Sequence, residues 1–442
     1  MHSNRRSSSR AVVVALMAVA LPAAAGAQGR LGHDRELGKL MLRNVQRDIQ
    51  KLYFDPTFHG FDLPGRFAQA EEKLKTAEST GQVMAIVAQA VLEIGDSHTR
   101  FFPPERTVRA EYGWTMRPIG DVCRVLAVRP RSAAETKGLK PGDAVLSVNG
   151  YPANRATADT LRYLFYSLRP QAALRVVAQS PGQPERTLDL AAELKRSALG
   201  VDLTEGSYAF WAMVREGQEE RHLGRHIYDS LSDDVLVWHM PGFNLRDGGV
   251  RELIGRARKH KTLILDMRGN AGGLIDQLKE LTGSLFDHDV TIAEEKSRKG
   301  SKPLVAKKAR EPFLGKLIVL VDGDSASSAE VLARVVQIEK RGTVIGDRTA
   351  GAVLEAEERS YDLAGTDSII TYGAEIAVAD LVMTDGASLE GKGVTPDELL
   401  VPTGEDLAAD RDIVLTRAAA LAGLEIAEGE TLSFLPYEWP TR

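Results

Sequence analysis

The chain has 442 residues, which at roughly 150 residues per domain predicts about three domains and excludes a single small module. Hydrophobic residues make up 43% and charged residues 26%, a composition typical of a folded globular protein and not of a disordered or collagen-like one. The net charge of −5 gives no electrostatic reason to expect nucleic acid, and the single cysteine, Cys123, excludes an intramolecular disulfide framework and a four-thiolate zinc site.

Residues 1–27 have the pattern of a secretory signal peptide. A basic, serine-rich lead precedes an apolar run of roughly 17 residues, and Ala25-Gly26-Ala27 has the small-x-small form of a cleavage site. The alternative is a membrane anchor, for which the apolar run is short. We therefore expect an exported, periplasmic or secreted protein whose mature chain begins at Gln28 and has no stable membrane insertion.

Residues 28–105 are predicted to form an N-terminal helical domain. Apolar residues recur at helical spacing from Leu37 to about Ile94. Proline and glycine in the segment 54–65 break this pattern into a first helix and a later pair, and two prolines at 103–104 end it.

Residues 110–195 contain short β-rich runs. Within 132–150, a short helix is followed by the hexapeptide GLKPGD (138–143) and an apolar strand, a pattern that resembles the core of a PDZ domain. Pro141-Gly142 favours a turn and the apolar run a buried strand. PDZ domains bind a chain terminus as an added strand. The resemblance therefore implies peptide binding, with a carboxylate-binding loop formed, by position, by Tyr112, Gly113 and Trp114.

Residues 196–425 alternate strands and helices, which predicts an α/β core. Short apolar runs at 235–240, 262–266, 317–323 and 343–347 are the candidate strands, with helices from about Leu274 and over Ser327 to Lys340. The charged stretch 294–311 is predicted to be a solvated loop or a hairpin. Residues 426–442 are predicted to form a C-terminal tail.

Ser327 follows a buried strand and stands where a helix begins. A serine hydroxyl there lies beside unpaired backbone amides, and the next amide can stabilise an oxyanion during acyl transfer. Ser327 and Glu330 also match a helix capping box, a purely structural interpretation that stays open. In the segment 263–273, a strand ending at Asp266 runs into a turn whose Gly272 and Gly273 would let backbone amides approach a substrate closely. A simple tight turn is the alternative there.

In this order, these segments resemble the tail-specific or carboxy-terminal processing serine peptidase superfamily. The resemblance covers most of the chain after residue 27. It rests on DSHT (96–99), the PDZ-like segment, DMRGNAGG (266–273), SAS (325–327) with Glu330, IGDRTAG (345–351) and EGKGVTPD (390–397). It implies a multidomain α/β protein with an N-terminal helical segment, a PDZ-like β-rich domain and a ClpP- or crotonase-like α/β catalytic core.

One position departs from the pattern of this superfamily. In the processing-peptidase branch the general base is a lysine, and the aligned position here is Ala352, which has no lone pair to accept a proton. The branch typified by the tricorn core protease uses a histidine, a second serine and a glutamate instead. Carried over to this chain, that resemblance implies Ser327 as the nucleophile and His98 as the base. Ser97 and Glu390 would stand behind the histidine. The oxyanion hole would be formed by the backbone amides of Ser328 and of Gly272 or Gly273.

Structural alternatives stay open for several of these residues. His98 could be a buried, hydrogen-bonded residue, Glu390 could simply precede a turn, and Lys392 could be a displaced base. His222 and His226 would share a helix face, but no HExxH motif accompanies them, so neither a metal nor a cofactor is expected.

The leading hypothesis is an exported serine endopeptidase that captures polypeptides through its PDZ-like domain. The competing hypothesis, motivated by Ala352, is a catalytically inactive peptide- or ligand-binding member of the same fold.

Overall fold

The computed structural model describes residues 21–104, 108–196, 226–364, 369–426 and Leu432. Residues 1–20 of the predicted signal peptide, His222 and nearly all of the predicted tail lie outside the described residues. None of the described helices is long and apolar enough to cross a membrane. The signal peptide and the export of the chain stay predictions.

The described helices are α1 (Leu21–Leu52), α2 (Leu63–Leu74), α3 (Thr80–Leu92), α4 (Ala133–Thr136), α5 (Ala158–Arg162), α6 (Gly249–Ala257), α7 (Ile275–Gly283), α8 (Ser328–Ile338), α9 (Gly404–Ala408) and α10 (Ile413–Leu421). The strands are β1 (Arg100–Phe102), β2 (Val108–Glu111), β3 (Trp114–Ile119), β4 (Val122–Val128), β5 (Ala144–Val148), β6 (Tyr151–Pro152), β7 (Ala173–Gln179), β8 (Arg186–Ala191), β9 (Glu193–Arg196), β10 (Ile227–Ser232), β11 (Val235–His239), β12 (Thr262–Asp266), β13 (Val290–Ser297), β14 (Gly300–Ala306), β15 (Lys316–Val321), β16 (Thr343–Gly346), β17 (Leu354–Ala364), β18 (Ile369–Met383) and β19 (Glu398–Leu399). Phe58–Gly60 is a 3-10 turn and Tyr163–Leu168 a π-helical turn.

The N-terminal helices begin at side-chain caps. Asp62 accepts a hydrogen bond from the Gly65 amide at the start of α2, and Ser79 accepts one from Gln82 at the start of α3. The apolar faces of α1, α2 and α3 share one core with β1, β17 and β18. β1 pairs with β18, so that Phe101 lies opposite Ala374. The segment 28–105 therefore does not bury its apolar surface alone, because β17 and β18, which come much later in the chain, cover it.

A separate antiparallel sheet follows, with strand order β3-β4-β5-β7-β8 and β6 beside β5. It encloses its own apolar core together with α4 and α5. We call residues 108–196 the small sheet domain. Its assignment as a PDZ domain stays a prediction.

Ion pairs join the small sheet domain to the rest of the chain. Arg117 Nη1 lies 2.8 Å from Asp322 Oδ2, and Arg162 Nη1 lies 2.8 Å from Asp324 Oδ1. Arg155 pairs with Asp347. The three aspartates follow β15 and β16, so the small sheet domain is attached where those strands end.

The predicted α/β core is present as a six-stranded sheet in the order β10-β11-β12-β15-β16-β19. All neighbouring strands from β11 to β19 are parallel. The four predicted apolar runs form β11, β12, β15 and β16, which are buried on both faces. Parallel strands end at the same edge of a sheet, and the loops after β12 and β15 therefore meet there. The charged stretch 294–311 contributes to the β13–β14 hairpin.

A buried charge network supports the loop after β12. Arg268 is 7% exposed, Asp266 1% and Asp412 0%. The Arg268 guanidinium donates to both carboxylates at 2.8–2.9 Å. Burial alone would raise the pKa of Asp266, but the Arg268 charge holds that pKa below its usual range. Asp412 also caps α10 by accepting from the Leu415 amide.

Replacing Arg268 with methionine is expected to lower the free energy of unfolding by about 3–5 kcal/mol, because two buried carboxylates would lose the guanidinium that pairs with both of them. Equilibrium unfolding in urea measures the change. Arg417→Met is the matched control, since Arg417 pairs with Glu398 at the surface, where water screens the pair, and its loss should change stability far less. Equal losses in the two variants would contradict a stabilising role for the buried network.

Candidate active site

Ser327 lies between β15 and α8 in an unusual backbone conformation. Its φ is 54° and its ψ is −122°, a region that non-glycine residues rarely occupy. Its amide donates to Ala352 O at 2.8 Å and to Glu330 Oε2 at 3.1 Å. The second of these bonds is the Glu330 side of the predicted capping box. Ser327 thus occupies a strained turn between a strand and a helix, and its backbone hydrogen bonds fix it there. In such a turn the side chain is held out of the helix.

The glycine-rich loop after β12 contacts Ser327 directly. A Cβ atom added to Gly272 would lie 2.6 Å from Ser327 Cβ and 3.1 Å from Ser327 Oγ, so only glycine fits. One added to Gly273 would lie 2.4 Å from Phe243 O. Gly272 and Gly273 thus lie where the loop after β12 comes close to Ser327 and to the backbone of Phe243.

The amides around Ser327 are not equally available. The Gly272 N–H donates to Asn270 Oδ1 at 2.8 Å, and Asn270 is fully buried. The hydrogen bonds of the described residues include no acceptor for the Gly273 or Ser328 N–H. Ser328 Oγ donates to Gly273 O at 3.1 Å, which holds these two residues together. Of the two glycines that sequence reasoning left open, Gly273 therefore has the available donor.

Ser97, His98 and Glu390 are hydrogen-bonded to one another. Glu390 Oε1 accepts from the Ser97 amide at 2.9 Å, and Oε2 accepts from Ser97 Oγ at 2.8 Å. Ser97 Oγ lies 2.7 Å from His98 Nδ1. Since the single Ser97 hydroxyl hydrogen points to the carboxylate, Nδ1 must carry the proton that Ser97 Oγ accepts. The neutral imidazole then has its lone pair on Nε2.

One segment joins this group to Ser327. Ala352 accepts from the Ser327 amide, and the next residue, Val353, donates its amide to Glu390 Oε2 at 2.8 Å. Two successive residues thus connect the candidate nucleophile and the carboxylate behind the histidine. Ala352, the position where the resemblance expects a lysine, lies at the centre of this connection.

The electrostatic environment keeps His98 neutral. Burial, together with the nearby Arg100 charge, lowers the pKa of His98 to about 4. Burial raises the pKa of Glu390, while hydrogen bonds from Val353 and Ser97 act in the opposite direction. At neutral pH the imidazole can therefore accept a proton.

Asp96 and Arg100, to which the sequence analysis assigned no role, fix the turn that carries His98. Asp96 Oδ1 accepts from the amides of His98, at 2.8 Å, and Thr99, at 2.6 Å. Arg100 donates to Ser97 O at 2.8 and 3.0 Å and to Asp159 of α5 at 2.6 Å. The Asp-x-His-Thr pattern is an available signal for the first contact, because aspartate commonly accepts from amides two and three residues later.

Tyr112, Gly113 and Trp114 form a different environment within the small sheet domain. Tyr112 and Trp114 are buried, and Tyr112 Oη donates to Phe165 O at 3.2 Å. Gly113 O accepts from the Arg129 amide. Their role in binding a peptide carboxylate stays a prediction.

Two further residues that the sequence analysis named have other surroundings. The Lys392 side chain is exposed, and His226 Nδ1 accepts a hydrogen bond from Trp238 Nε1 at 3.1 Å.

Comparison with known proteins matches residues 234–400 to peptidase family S41. The chain is 25% identical over 385 residues to the chloroplastic C-terminal processing peptidase of Tetradesmus obliquus, covering 82% of this chain and 77% of that one. It is 24% identical over 276 residues to the carboxy-terminal processing protease CtpA of Bacillus subtilis, covering 62% and 52%. The chain thus spans between about half and three quarters of the length of these relatives.

Solved structures share the fold. Mature CPAF superposes with a TM-score of 0.60 at 16% identity over 84% of this chain and 94% of that one. The photosystem II D1 C-terminal processing protease superposes with a TM-score of 0.50 at 19% identity, covering 84% and 98%. At these identities the likeness concerns the fold alone.

Proposed function

We propose that this chain is a serine-type peptidase of family S41, and that Ser327 is its nucleophile and His98 its general base in the hydrolysis of peptide bonds. The observation that carries this proposal is the hydrogen-bonded order Glu390–Ser97–His98, which leaves the imidazole lone pair on Nε2. A positioned carboxylate of this kind holds the tautomer of the histidine and stabilises its protonated form.

The reaction proceeds through an acyl-enzyme. His98 Nε2 takes the Ser327 hydroxyl proton as Oγ attacks the carbonyl carbon of the substrate, and the carbonyl oxygen becomes negative. The Gly273 and Ser328 amides donate to that oxygen. His98 then gives its proton to the departing amine, the C–N bond breaks, and a water molecule releases the acyl group by the same steps.

Ala352 supports histidine as the base. Its backbone bonds to Ser327 and Glu330 place it beside the nucleophile, but a methyl side chain cannot accept a proton. His98 is neutral at neutral pH, so its imidazole can accept the proton that a lysine would otherwise accept.

We extend the proposal to the substrate and its delivery. Two of the relatives are named as C-terminal processing proteases, so the substrate class that we propose is polypeptide. The small sheet domain would capture the chain and the signal peptide would direct export. Attachment of that domain through Arg117 and Arg162, beside the loop that carries Ser327, supports delivery over a short path.

A serine-directed fluorophosphonate tests this proposal. The full-length folded protein is expected to form one adduct, mapped by mass spectrometry to Ser327, and to cleave an unstructured polypeptide such as casein. Heat-denatured protein is the control for nonspecific labelling. An adduct at another serine would contradict the nucleophile. No adduct and no cleavage between pH 6 and 9, together with binding of peptides that have free C-termini, would favour the inactive binding protein.

A further inference from the structure

Glu330 is a buried carboxylate whose hydrogen bonds exceed what a helix cap requires. It lies in the first turn of α8 and is 0% exposed. No ion pair among the described residues includes it. Its oxygens accept four hydrogen bonds, from Thr349 Oγ1 at 2.5 Å, Gly351 N at 2.8 Å, Ala352 N at 2.9 Å and Ser327 N at 3.1 Å.

Three of these donors belong to the segment 349–352 and not to the helix that Glu330 caps. A capping box needs only the bond to the Ser327 amide. The other three bonds hold 349–352 against the start of α8. Because Val353 follows and donates to Glu390, the position of Ser327 relative to Glu390 depends on this carboxylate.

We propose that Glu330 is a positioning residue that must be ionised for peptide hydrolysis, because its carboxylate holds Ser327 in place relative to the Glu390–Ser97–His98 group. This inference rests on the proposed roles of Ser327 and His98. Glu330 itself touches no reacting atom.

Protonation would change these contacts. A carboxylate accepts all four hydrogen bonds, whereas a carboxylic acid has one O–H that must donate. Thr349 Oγ1 is the only partner that can accept, and it already accepts from the Val394 amide at 2.6 Å. The Thr349 bond would reverse and the amide bonds would weaken, so 349–352 would be held less firmly.

The ionisation occurs in an accessible pH range. Burial raises the pKa of Glu330 to about 7, although its four hydrogen bonds oppose the shift. The charged groups on the adjoining elements have other partners or are exposed. Arg334 pairs with Asp385, Asp347 with Arg155, and Arg348 with Asp121. Glu390 is bonded to Ser97, and the Lys392 side chain is exposed.

The fall of activity on the acid side of the pH profile, which we call the acid limb, can therefore be assigned to one of two groups. Activity that requires only neutral His98 would persist down to about pH 4, whereas activity that requires ionised Glu330 falls as the pH drops through about 7. We expect kcat/KM of the wild type to rise with pH around a midpoint near 7.

The test compares pH profiles of peptide hydrolysis and of fluorophosphonate labelling between pH 5 and 9. Glu330→Gln presents an NH2 group to amide donors, so we expect kcat to fall about 10- to 100-fold with KM nearly unchanged. The limb near pH 7 should move to lower pH, because glutamine does not titrate. A merely structural role would lower activity without moving the limb.

Glu358→Gln is the matched control. Burial also raises the pKa of Glu358 to about 7, but this residue lies on β17 and makes none of the contacts described for Ser327. We expect Glu358→Gln to keep both the limb and kcat. If the acid limb moved in Glu358→Gln and kept its wild-type position in Glu330→Gln, the proposal would be overturned.

Thr349→Val keeps the proposal testable if Glu330→Gln does not fold. The Thr349 hydroxyl favours the ionised carboxylate, so its loss should shift the limb to higher pH. An unchanged limb would overturn the role of Glu330. A wild type that neither labels at Ser327 nor cleaves polypeptide would instead contradict the proposed function, which separates the two failures.

Discussion

Replacing Ser327 with alanine is expected to lower kcat for polypeptide cleavage by about 10⁴-fold or more and to abolish fluorophosphonate labelling. The change removes only the Oγ atom that attacks the substrate. The bonds from the Ser327 amide to Ala352 and Glu330 do not involve Oγ, so the variant keeps its backbone conformation. Because Ser327 is also the N-cap residue of α8, stability should fall by about 1 kcal/mol, the usual cost of losing a cap hydroxyl.

The measurement is cleavage of an unstructured polypeptide, with thermal unfolding recorded for each variant. Ser301→Ala is the matched control, because Ser301 is an exposed residue of β14 whose hydroxyl donates to Glu294. Wild-type cleavage by Ser327→Ala would exclude Ser327 as the nucleophile. Loss of cleavage together with loss of folding would instead indicate that the hydroxyl supports the helix start.

The parallel core could be predicted because its signals are local. Short apolar runs bounded by turn residues gave β12 and β16 almost to the residue, and the helices after Leu274 and at Ser327 begin where capping and glycine patterns place them. Strand pairing is not local. Nothing near Phe101 indicates that it lies opposite Ala374, more than 270 residues later, so the shared core of the N-terminal helices could not be predicted.

The candidate site divides in the same way. Ser97, His98 and Glu390 were selected by resemblance, and they are hydrogen-bonded to one another in the structure. The multiple contacts of Glu330 could not be predicted, because Ser-x-x-Glu at a helix start is fully explained as a cap until its burial and its bonds to 349–352 are known. The competition of Asn270 for the Gly272 amide likewise depends on loop geometry and not on residue type.

Replacing His98 with glutamine is expected to lower kcat by about 10³- to 10⁴-fold, because the amide cannot take the Ser327 proton. KM should change little, since the substrate contacts of the backbone amides remain. Ser97 and Glu390 stay bonded to each other, so the turn at 96–100 keeps its structure through Asp96 and Arg100. Residual cleavage should increase with pH, as hydroxide replaces the missing base.

Steady-state cleavage and fluorophosphonate labelling measure this change. His260→Gln is the control, because His260 lies outside the site, where its ring nitrogens contact Ser230 Oγ and Arg256 O. Lys392→Met tests the one alternative base that the sequence offers. Lys392 has an exposed side chain, and we expect its loss to change kcat less than about threefold. If Lys392→Met abolished cleavage and His98→Gln did not, lysine would be the base, and the Glu390–Ser97–His98 contacts would only hold the turn against the core.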